Sequence, residues 1–316
     1  MGADRNSGGL KPTSSSGRDD KISRDMNRRK DLLYEWRDEL LLRARALADL
    51  FMPRTCLVCG RTLGLRERHL CLSCAADVPY TRHWLQAHNP LADRFNAVLE
   101  RHRGTEPMDY AYAAALLYYK GSYREIPRAL KYHADLAVGR HFGTLLGRRL
   151  ASAPHFQDID LIIPVPLHWT RRWSRGYNQA EIVAQAIADA FFSASTSIPD
   201  SRENPTVPQS LSKPTCRPDL LVRTRRTRTQ TRLSVEQKAQ NVASAFQVPE
   251  TTRHPGQALE PPRAVLASAR HILLVDDTYT TGATLYACYA ALRPYTSARI
   301  SIATLAAIEG TPNLGP

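Results

Sequence analysis

One segment, Ile272–Thr284, constrains the fold of this chain more than any other; its sequence is ILLVDDTYTTGAT. Its four apolar residues, Ile272–Val275, predict a buried strand that ends in two adjacent carboxylates, Asp276 and Asp277. In open α/β sheets, ligands bind at the carboxyl ends of such strands. The two neighbouring carboxylates suit a vicinal diol, with one oxygen pair for each hydroxyl group.

Small hydroxylated residues follow the carboxylates and lead into a predicted helix. One glycine and several short side chains allow backbone N–H groups to converge on a phosphate at a helix N-terminus, and the hydroxyls add hydrogen bonds. The predicted phosphate-binding residues are Thr278, Thr280, Thr281, Gly282, Ala283 and Thr284. The alternative interpretation is a generic strand and loop, as found in many α/β proteins.

Apolar strands alternate with helical segments along the chain, which predicts an α/β fold with a mostly parallel sheet flanked by helices. The other expected strands are Tyr110–Tyr119, Asp160–Val165, Asp219–Val222 and Ser301–Leu305. The expected helices are Ile126–Leu150, one that Asn178 begins, one from Ser234 to about Phe246, and one after Thr284. This domain is expected over 105–310, with flexible insertions rich in Ser, Thr or Pro at 193–217 and 249–263.

The N-terminal part is expected to be less compact. Residues 1–28 are polar and charged, which predicts a disordered tail, and 29–54 carry apolar residues at the spacing of an amphipathic helix. That helix could lie on a membrane surface, although docking on the protein's own body is the stronger expectation. No apolar run approaches the ~18 residues of a membrane span, and the N-terminus lacks a secretory signal core, so a cytoplasmic location is expected.

Four of the six cysteines form two Cys-x-x-Cys pairs with eleven residues between them. The four are Cys56, Cys59, Cys71 and Cys74. Each pair directs two thiolates at one point, so the two pairs can complete a tetrahedral site for structural Zn²⁺ in a zinc-ribbon-like module at 55–80. A redox-active pair is the alternative, and His69 is a conceivable substitute ligand.

Two arginine-rich segments are candidate anion sites in a chain that carries 43 Lys and Arg against 30 Asp and Glu. The first, Pro164–Gln179, follows a predicted strand, and its pyrophosphate-side candidates are Arg171, Arg172, Arg175 and Gly176. The second, Val222–Asn241, would repel itself when empty and become ordered around an anionic ligand. Its candidates are Arg225, Arg226, Arg228, Gln230 and Arg232. A merely solvated basic loop is the alternative for the second segment.

Together these motifs resemble a known combination. Ile272–Thr284 is similar to the phosphoribosyl pyrophosphate (PRPP) motif of type I phosphoribosyltransferases, in which two acidic residues join an apolar strand to a Thr-rich phosphate loop. The segments LADLFMPRTCLVCG, CLSC, YYKGSYREIPRALKYH, PVPLHWTRRWSRGYNQ and LVRTRRTRTQTRLSVEQKAQN precede it in the order of the ComF family. The similarity covers about Leu47–Leu305, and the chain therefore resembles ComF and GntX-like proteins, which join a zinc-ribbon-like N-terminus to a phosphoribosyltransferase domain.

The resemblance implies a type I phosphoribosyltransferase-like fold that binds PRPP with Mg²⁺ and transfers the pentosyl group to an acceptor. By that likeness, Asp276 and Asp277 hold the ribose hydroxyls as the catalytic pair, and Thr278–Thr284 hold the 5-phosphate. Pro164–Gln179 would be the pyrophosphate-side loop, and Thr224–Gln237 a mobile hood over the site. No segment indicates a purine, pyrimidine or amine acceptor.

The resemblance also implies a role in competence, that is, DNA uptake during natural transformation, or in nucleotide-linked metabolism. A non-catalytic alternative is a protein that binds single-stranded DNA or docks a partner and uses the fold as a ligand sensor. Trp169, Trp173 and Tyr177 interleave with the arginines of Pro164–Gln179, which suits base stacking beside phosphates, although packing inside the protein is the stronger expectation for these aromatics. The cysteine module could instead dock a helicase-like partner.

Overall fold

The structure is a computed structural model that describes Asp49 and residues 52–102, 109–196, 214–224, 245–251 and 260–309. The predicted tail at 1–28 and the predicted helix at 29–54, apart from Asp49 and 52–54, lie outside these residues. The same is true of 197–213 and 252–259, the central parts of the two predicted insertions.

Within the described residues, a five-stranded parallel sheet forms the centre of the chain. The strands are β1 (Ala113–Tyr118), β2 (Leu161–Pro164), β3 (Thr215–Cys216), β4 (Val222–Arg223), β5 (Phe246–Gln247), β6 (His271–Tyr279) and β7 (Arg299–Ala307). The sheet has the order β1-β7-β6-β2-β3, while β4 and β5 form a separate antiparallel pair. All neighbouring strands of the sheet are parallel, which confirms the predicted α/β class.

Helices connect and cover the strands. They are α1 (Leu72–Ala76), α2 (Pro90–Arg101), α3 (Glu125–Tyr132), α4 (Leu136–Ala151), α5 (Trp169–Arg175), α6 (Gln179–Thr196), α7 (Pro262–Ser268) and α8 (Ala283–Leu292). Helices α4 and α6 pack together and contact the sheet, while α2, α7 and α8 contribute to an apolar cluster with Ile272 and Leu274 of β6. The alternate residues Leu273 and Val275 are equally buried, as expected for a strand covered on both faces. None of the described helices is long and apolar enough to cross a membrane.

Close packing of α4 against α6 depends on glycine. A Cβ added at Gly147 would lie 2.7 Å from the Cβ of Ala190 and 2.8 Å from the Cα of Ile187. These distances leave no room for a side chain at position 147 of α4. Glycine at this position therefore allows the backbones of α4 and α6 to approach each other. Helix α6 packs on β2 and β6, and α4 contacts β1 and β7. Because β2 and β6 are parallel neighbours, their carboxyl ends meet at the same edge of the sheet.

The structure corrects several expected elements and boundaries. Phe246, expected to end the helix from Ser234, lies in β5, and residues 234–244 of that helix lie outside the described part of the chain. Thr215–Cys216, inside the insertion expected at 193–217, form β3.

The single helix expected over Ile126–Leu150 is two helices, because Ala134 has a left-handed φ of +53° and Asp135 then caps α4 by accepting a hydrogen bond from the Val138 N–H at 3.1 Å. Residues 193–196 complete α6, so the insertion expected at 193–217 begins later. Residues 262–263 open α7 rather than ending the loop expected at 249–263. The strand expected from Asp219 starts only at Val222.

The core also begins earlier in the chain than residue 105. Helix α2 buries Leu91, Phe95 and Leu99, which belong to the same apolar cluster as Ile272. The four-residue spacing of these side chains is a helical signal, but charged residues on the opposite face give the segment the composition of a polar linker. Asn89 caps this helix and also donates to the Ala113 carbonyl of β1 at 3.0 Å.

The described residues divide into two compact units, and the smaller contains Asp49, 52–56 and 60–71. Its organising side chain is Arg54, which bonds both Asp49 carboxylate oxygens at 2.7 Å and the Glu67 carbonyl at 2.8 Å. Gly60 has a φ of +72° and donates its N–H to the Cys56 carbonyl at 2.9 Å. This left-handed glycine closes a tight turn directly after the first cysteine pair.

Candidate functional site

The two acidic residues of the Ile272–Thr284 segment lie within β6, which extends beyond the expected strand to Tyr279. Asp276 and Thr278 pair with Thr304 and Ala306 of β7 in the parallel register. The backbone that carries the two carboxylates is therefore held within the sheet. Asp277 is 7% exposed, and its N–H donates to the Asp276 carboxylate at 2.8 Å. The pair therefore forms a rigid acidic patch at the carboxyl edge of the sheet.

Electrostatic repulsion makes this patch unfavourable without a partner. Burial, together with the neighbouring charge of Asp277, raises the pKa of Asp276 well above its ordinary value. Lys131 on α3 places its ammonium group 2.9 Å from the Asp277 carboxylate. Burial, the largest single effect, lowers the pKa of Lys131, but the charge of Asp277, the hydrogen bond to it and the charge of Asp276 together outweigh burial and raise the pKa, so the ammonium remains protonated. A single ammonium thus offsets two carboxylates.

A cavity of about 300 Å³ opens beside this ion pair. Its lining residues are Tyr119, Pro127, Arg128, Lys131, Tyr132, Asp277 and Thr278. Arg128 and Lys131 are three residues apart on α3 and therefore share one helix face. The cavity lining combines the Asp277 carboxylate with the cations Arg128 and Lys131, which suits a ligand that carries both hydroxyls and phosphates.

Lys131 and Arg128 were not predicted as site residues, although they lie in the YYKGSYREIPRALKYH segment that contributes to the family resemblance. Two cations at helical spacing directly after a buried strand are the available local signal. The distance in sequence from Lys131 to Asp277 hides their proximity, because only the strand order brings α3 to the end of β6.

The expected phosphate loop is short and is followed at once by α8. Thr280 and Thr281 are exposed, while Ala283 and Thr284 are the first residues of the helix. Gly282 is the N-cap residue with φ of +79°, and as a glycine it supplies no side-chain cap. The Ala283 N–H donates to the Thr281 hydroxyl at 3.4 Å, and the N–H groups after it in the first turn of α8 are available to an anion.

Gly282 is required by space as well as by conformation. A Cβ at this position would lie 2.5 Å from the Tyr279 hydroxyl oxygen and 3.0 Å from the ring carbon that bears it. The Tyr279 ring is 1% exposed and has no room to move aside. The loop backbone therefore packs directly on a buried aromatic ring.

Arg94 of α2 holds the same loop and was not predicted. Its guanidinium donates to the Thr280 carbonyl at 3.0 Å and to the Ile308 carbonyl at 2.8 Å, and it lies 5.2 Å from the centre of the Tyr279 ring. These contacts join the ends of β6 and β7 behind the loop. No local pattern announces them, because Arg94 and Thr280 are 186 residues apart.

The pyrophosphate-side segment Pro164–Gln179 contains α5, where a loop was expected. Asn178 closes the base of this segment by donating to the Val165 carbonyl at 3.0 Å. Gly176 ends α5 with a φ of +78°, which favours glycine. Arg175 lies 5.7 Å from the centre of the ring of Tyr132, and Tyr132 lines the cavity.

The other residues predicted for anion binding are placed differently. Arg172 is 3.6 Å from Glu181 and so is engaged on α6. The side chain of Arg171 lies outside the described part of the structure. So do all five hood residues, namely Arg225, Arg226, Arg228, Gln230 and Arg232.

The aromatic residues of α5 overturn the expectation that they pack inside the protein. Trp169 is 68% exposed and Trp173 is 89% exposed. They are four residues apart and lie on the same side of the helix. Only Tyr177 is anchored, because its hydroxyl donates to the Leu130 carbonyl. Two exposed indole rings thus flank the arginines of this segment.

The four predicted metal ligands come together. The sulfur atoms of Cys56, Cys59, Cys71 and Cys74 all lie within 4.8 Å of one another, and none forms a disulfide. A tetrahedral zinc site with Zn–S bonds of about 2.3 Å needs sulfurs roughly 3.8 Å apart. The cluster can therefore hold a metal such as zinc, and its fourfold composition does not need His69. In the larger unit, the Cys74 carbonyl accepts a hydrogen bond from the Tyr123 hydroxyl at 3.0 Å.

A second buried polar cluster lies at the opposite end of β6. His271 contacts the Asp158 carboxylate through Nδ1 at 2.6 Å and the Ser301 hydroxyl through Nε2 at 2.8 Å. This is the order of an acid, a base and a nucleophile, but His271 and Ser301 are both 0% exposed. A substrate has no access to this serine, so the cluster serves the folded structure rather than catalysis.

Comparison with known proteins agrees with this arrangement. Competence protein F of Haemophilus influenzae is 25% identical over 241 residues, which are 74% of this chain and 89% of that protein. DNA utilization protein YhgH of Escherichia coli is 30% identical over 128 residues, or 40% of each chain. No protein-family model matches the sequence. The parallel sheet, the four clustered cysteines and the motif order accompany these similarities, and together they support assignment of the chain to the ComF family.

Proposed function

We propose that the carboxyl edge of β6 binds PRPP together with Mg²⁺ and that the protein acts in DNA uptake. The observation that carries the proposal is the cavity beside Asp277, where an acidic pair, two cations from α3 and the N-terminus of α8 belong to one edge of the sheet. The relatives are named for competence and for DNA utilization, which supports the broader role.

Each charged or polar part of PRPP is assigned to a different group of residues. Asp276 and Asp277 accept hydrogen bonds from the vicinal ribose hydroxyls. The N–H groups that begin α8, with the hydroxyls of Thr280 and Thr281, bind the 5-phosphate. Arg175, with the hood arginines, faces the pyrophosphate. The arrangement gives each charged part of PRPP a partner of opposite charge or a hydrogen-bond donor.

Phosphoribosyl transfer breaks the bond between ribose C1 and pyrophosphate through a state with positive charge on the sugar. Carboxylates near the ribose stabilise that charge, and cations near the leaving group stabilise the departing anion. Carboxylate and hydroxyl oxygens are the donors that Mg²⁺ prefers, so Asp276, Asp277 and Thr278 fit this ion. When bound, Mg²⁺ would neutralise charge on the pyrophosphate.

A thermal-shift experiment tests the proposal directly. At about 100-fold excess over Kd, PRPP with Mg²⁺ should raise Tm by on the order of 5–10 °C. The double substitution Asp276→Asn with Asp277→Asn should abolish that shift and any release of pyrophosphate. Asp189→Asn, which removes an exposed carboxylate from α6, is the matched control and should keep the shift. No stabilisation of the wild-type protein by PRPP would contradict the proposal.

A second candidate function is binding of single-stranded DNA, and the exposed rings of Trp169 and Trp173 favour it. Base stacking on an aromatic ring contributes ~1–3 kcal/mol per base. Trp173→Ala should therefore weaken binding of a short single-stranded oligonucleotide by about 5- to 100-fold in fluorescence anisotropy. Phe192→Ala removes another exposed ring, away from the arginines of α5, and should have little effect.

Salt and PRPP distinguish the two functions. Binding of DNA through arginines should weaken steeply as salt increases, because phosphate contacts release counterions. It should also survive the double aspartate substitution, because the tryptophans of α5 do not depend on that pair. Equal loss of DNA binding in the Trp173 and Phe192 variants would exclude the stacking surface.

We also propose the zinc-ribbon-like module at 55–80 as a structural Zn²⁺ site. The four clustered cysteines fill all tetrahedral positions, so no open position would remain for a water molecule or a substrate. The module's role as a docking surface for a helicase-like partner remains part of the same proposal.

A further inference from the structure

The contact between Lys131 and Asp277 has a consequence for ligand binding. The ammonium nitrogen of Lys131 lies 2.9 Å from one carboxylate oxygen of Asp277, and the Asp277 side chain is only 11% exposed. A ribose hydroxyl that approached the same oxygen would meet the ammonium there, whereas the other carboxylate oxygen of Asp277 is a second acceptor. A ligand that uses both oxygens therefore favours departure of Lys131 from Asp277.

The cavity provides space into which the Lys131 side chain can move. Its side chain is 32% exposed and lines the 300 Å³ space together with Arg128 and Thr278. A lysine ammonium is a compact charge on a flexible four-carbon stem with three donors, so it can change partner without movement of its helix. The phosphate oxygens of a bound ligand would offer new acceptors in the same cavity.

Charge balance favours this exchange of partners. Without a ligand, the ammonium offsets part of the charge on the acidic pair. When the ribose hydroxyls donate to the carboxylates, the need for that ammonium falls, while the incoming diphosphate adds several negative charges. A charge-assisted bond from Lys131 to the diphosphate then replaces the bond to Asp277.

We propose that Lys131 is an exchangeable counter-ion: it pairs with Asp277 in the empty site and moves to the diphosphate oxygens when a ribose phosphate that carries a diphosphate binds. This rests on the proposed PRPP site and identifies the residue that selects diphosphorylated over monophosphorylated ribose. Lys131 is thus a specificity-determining residue.

Two ligands that differ only in the diphosphate test the exchange. Isothermal titration should be performed with PRPP plus Mg²⁺ and with ribose 5-phosphate plus Mg²⁺ on the full chain. Lys131→Gln should weaken PRPP binding by about 10- to 100-fold, the range for a hydrogen bond to a charged group. Ribose 5-phosphate should bind Lys131→Gln as well as, or better than, the wild-type protein, because Asp277 is already free.

Arg128→Gln is the matched control, because it removes one positive charge from the same cavity without breaking a contact with Asp277. Arg128 is 2.9 Å from Glu125 instead. Its effect on the ratio of the two affinities should be several-fold smaller than that of Lys131→Gln. Lys131→Arg keeps the charge and should retain most of the preference for PRPP, and it serves if the glutamine variant does not fold.

Three results would overturn the exchange. Equal weakening of both ligands by Lys131→Gln would show that Lys131 only positions Asp277. Unchanged PRPP affinity in that variant would show that the ammonium never reaches the diphosphate. If the wild-type protein binds ribose 5-phosphate but not PRPP, the selectivity is absent. Failure of the wild-type protein to bind either ligand would instead reject the proposed site as a whole.

Discussion

The two ends of β6 carry buried polar groups with opposite characters. At the start of the strand, His271 has a partner for each ring nitrogen, the Asp158 carboxylate at 2.6 Å and the Ser301 hydroxyl at 2.8 Å. At its end, Asp276 and Asp277 are adjacent like charges with Lys131 as their nearby cation. One strand thus joins a satisfied polar network to an acidic pair that repels itself.

Hydrogen-bond chemistry explains the satisfied end. A carboxylate only accepts, so Nδ1 of His271 donates to Asp158, and in the neutral ring Nε2 accepts from the Ser301 hydroxyl. The same hydroxyl oxygen accepts the Tyr112 N–H at 3.2 Å. Buried polar groups contribute to stability when every donor and acceptor is paired, and this network meets that condition.

The difference in hydrogen-bond pairing between the His271 network and the Asp276–Asp277 pair indicates which of the two is the ligand site. A paired network needs nothing further, whereas an acidic pair with a raised pKa at Asp276 is stabilised by any ligand that brings hydroxyl donors or positive charge. Changes at the start of β6 should therefore alter stability and leave ligand binding intact. Removal of a carboxylate at its end should abolish ligand binding without destabilising the fold.

The largest effect is expected for His271→Leu. It leaves the buried Ser301 hydroxyl without an acceptor for its proton and should lower the free energy of unfolding by about 2–4 kcal/mol. Chemical denaturation measures the loss. At a temperature where the variant is folded, its affinity for PRPP should equal that of the wild-type protein. A large loss of PRPP affinity would contradict the assignment of stability and ligand binding to different ends of β6.

Gly282→Ala should have the next largest effect. A left-handed φ on a residue with a side chain costs about 1–3 kcal/mol, and the new methyl group would also collide with Tyr279. Gly176→Ala is the matched control, since its φ is +78° but no atom lies within 4 Å of the added Cβ. The difference between the two losses, measured by denaturation, isolates the collision. Equal losses of stability in the two variants would show that the Tyr279 side chain moves to accommodate the methyl group.

Asp276→Asn should raise stability while removing function. Because the pKa of Asp276 is raised in the folded protein, the wild type loses stability as pH rises from near 3.8 through the folded pKa. The neutral amide avoids that loss, so the gain in Tm should grow with pH and reach on the order of a few degrees. Thermal melts between pH 4 and pH 9 measure it. A gain that shrinks as pH rises would contradict the electrostatic account.

The smallest effect is expected for Asp158→Asn. A hydrogen bond from His271 is the main reason that the pKa of Asp158 lies below its ordinary 3.8, but this carboxyl is 56% exposed. Solvent screening limits the loss to under about 1 kcal/mol. The loss should be present at neutral pH and vanish as pH falls below the folded pKa. An effect that grows on acidification would have the wrong sign.

Much of the site could be predicted because its chemistry lies in one short segment. The four apolar residues before Asp276 require a buried strand, and two carboxylates after them belong at its carboxyl edge. Likewise, the spacing of the two cysteine pairs predicted a cluster that the structure contains. Both predictions need only local geometry, since strand pleat and turn shape fix where nearby side chains point.

Contacts between distant parts of the chain could not be predicted in this way. Lys131 meets Asp277 only because α3 follows β1, whose position beyond β7 in the sheet is a matter of strand order. The exposure of Trp169 and Trp173 was misjudged for a similar reason. Large apolar rings are usually buried, and only the tertiary structure decides that α5 leaves these two uncovered.

The sequence by itself determined the α/β class, the strand that carries Asp276 and Asp277, and the four cysteines that converge, because each follows from spacing along the chain. Only the tertiary structure decided that Lys131 is the counter-ion of Asp277, that Arg94 holds the phosphate loop, and that His271 is fully paired. The physical reason is that charge and hydrogen bonding act through space. Their partners are chosen by the packing of the sheet and its helices rather than by position in the chain.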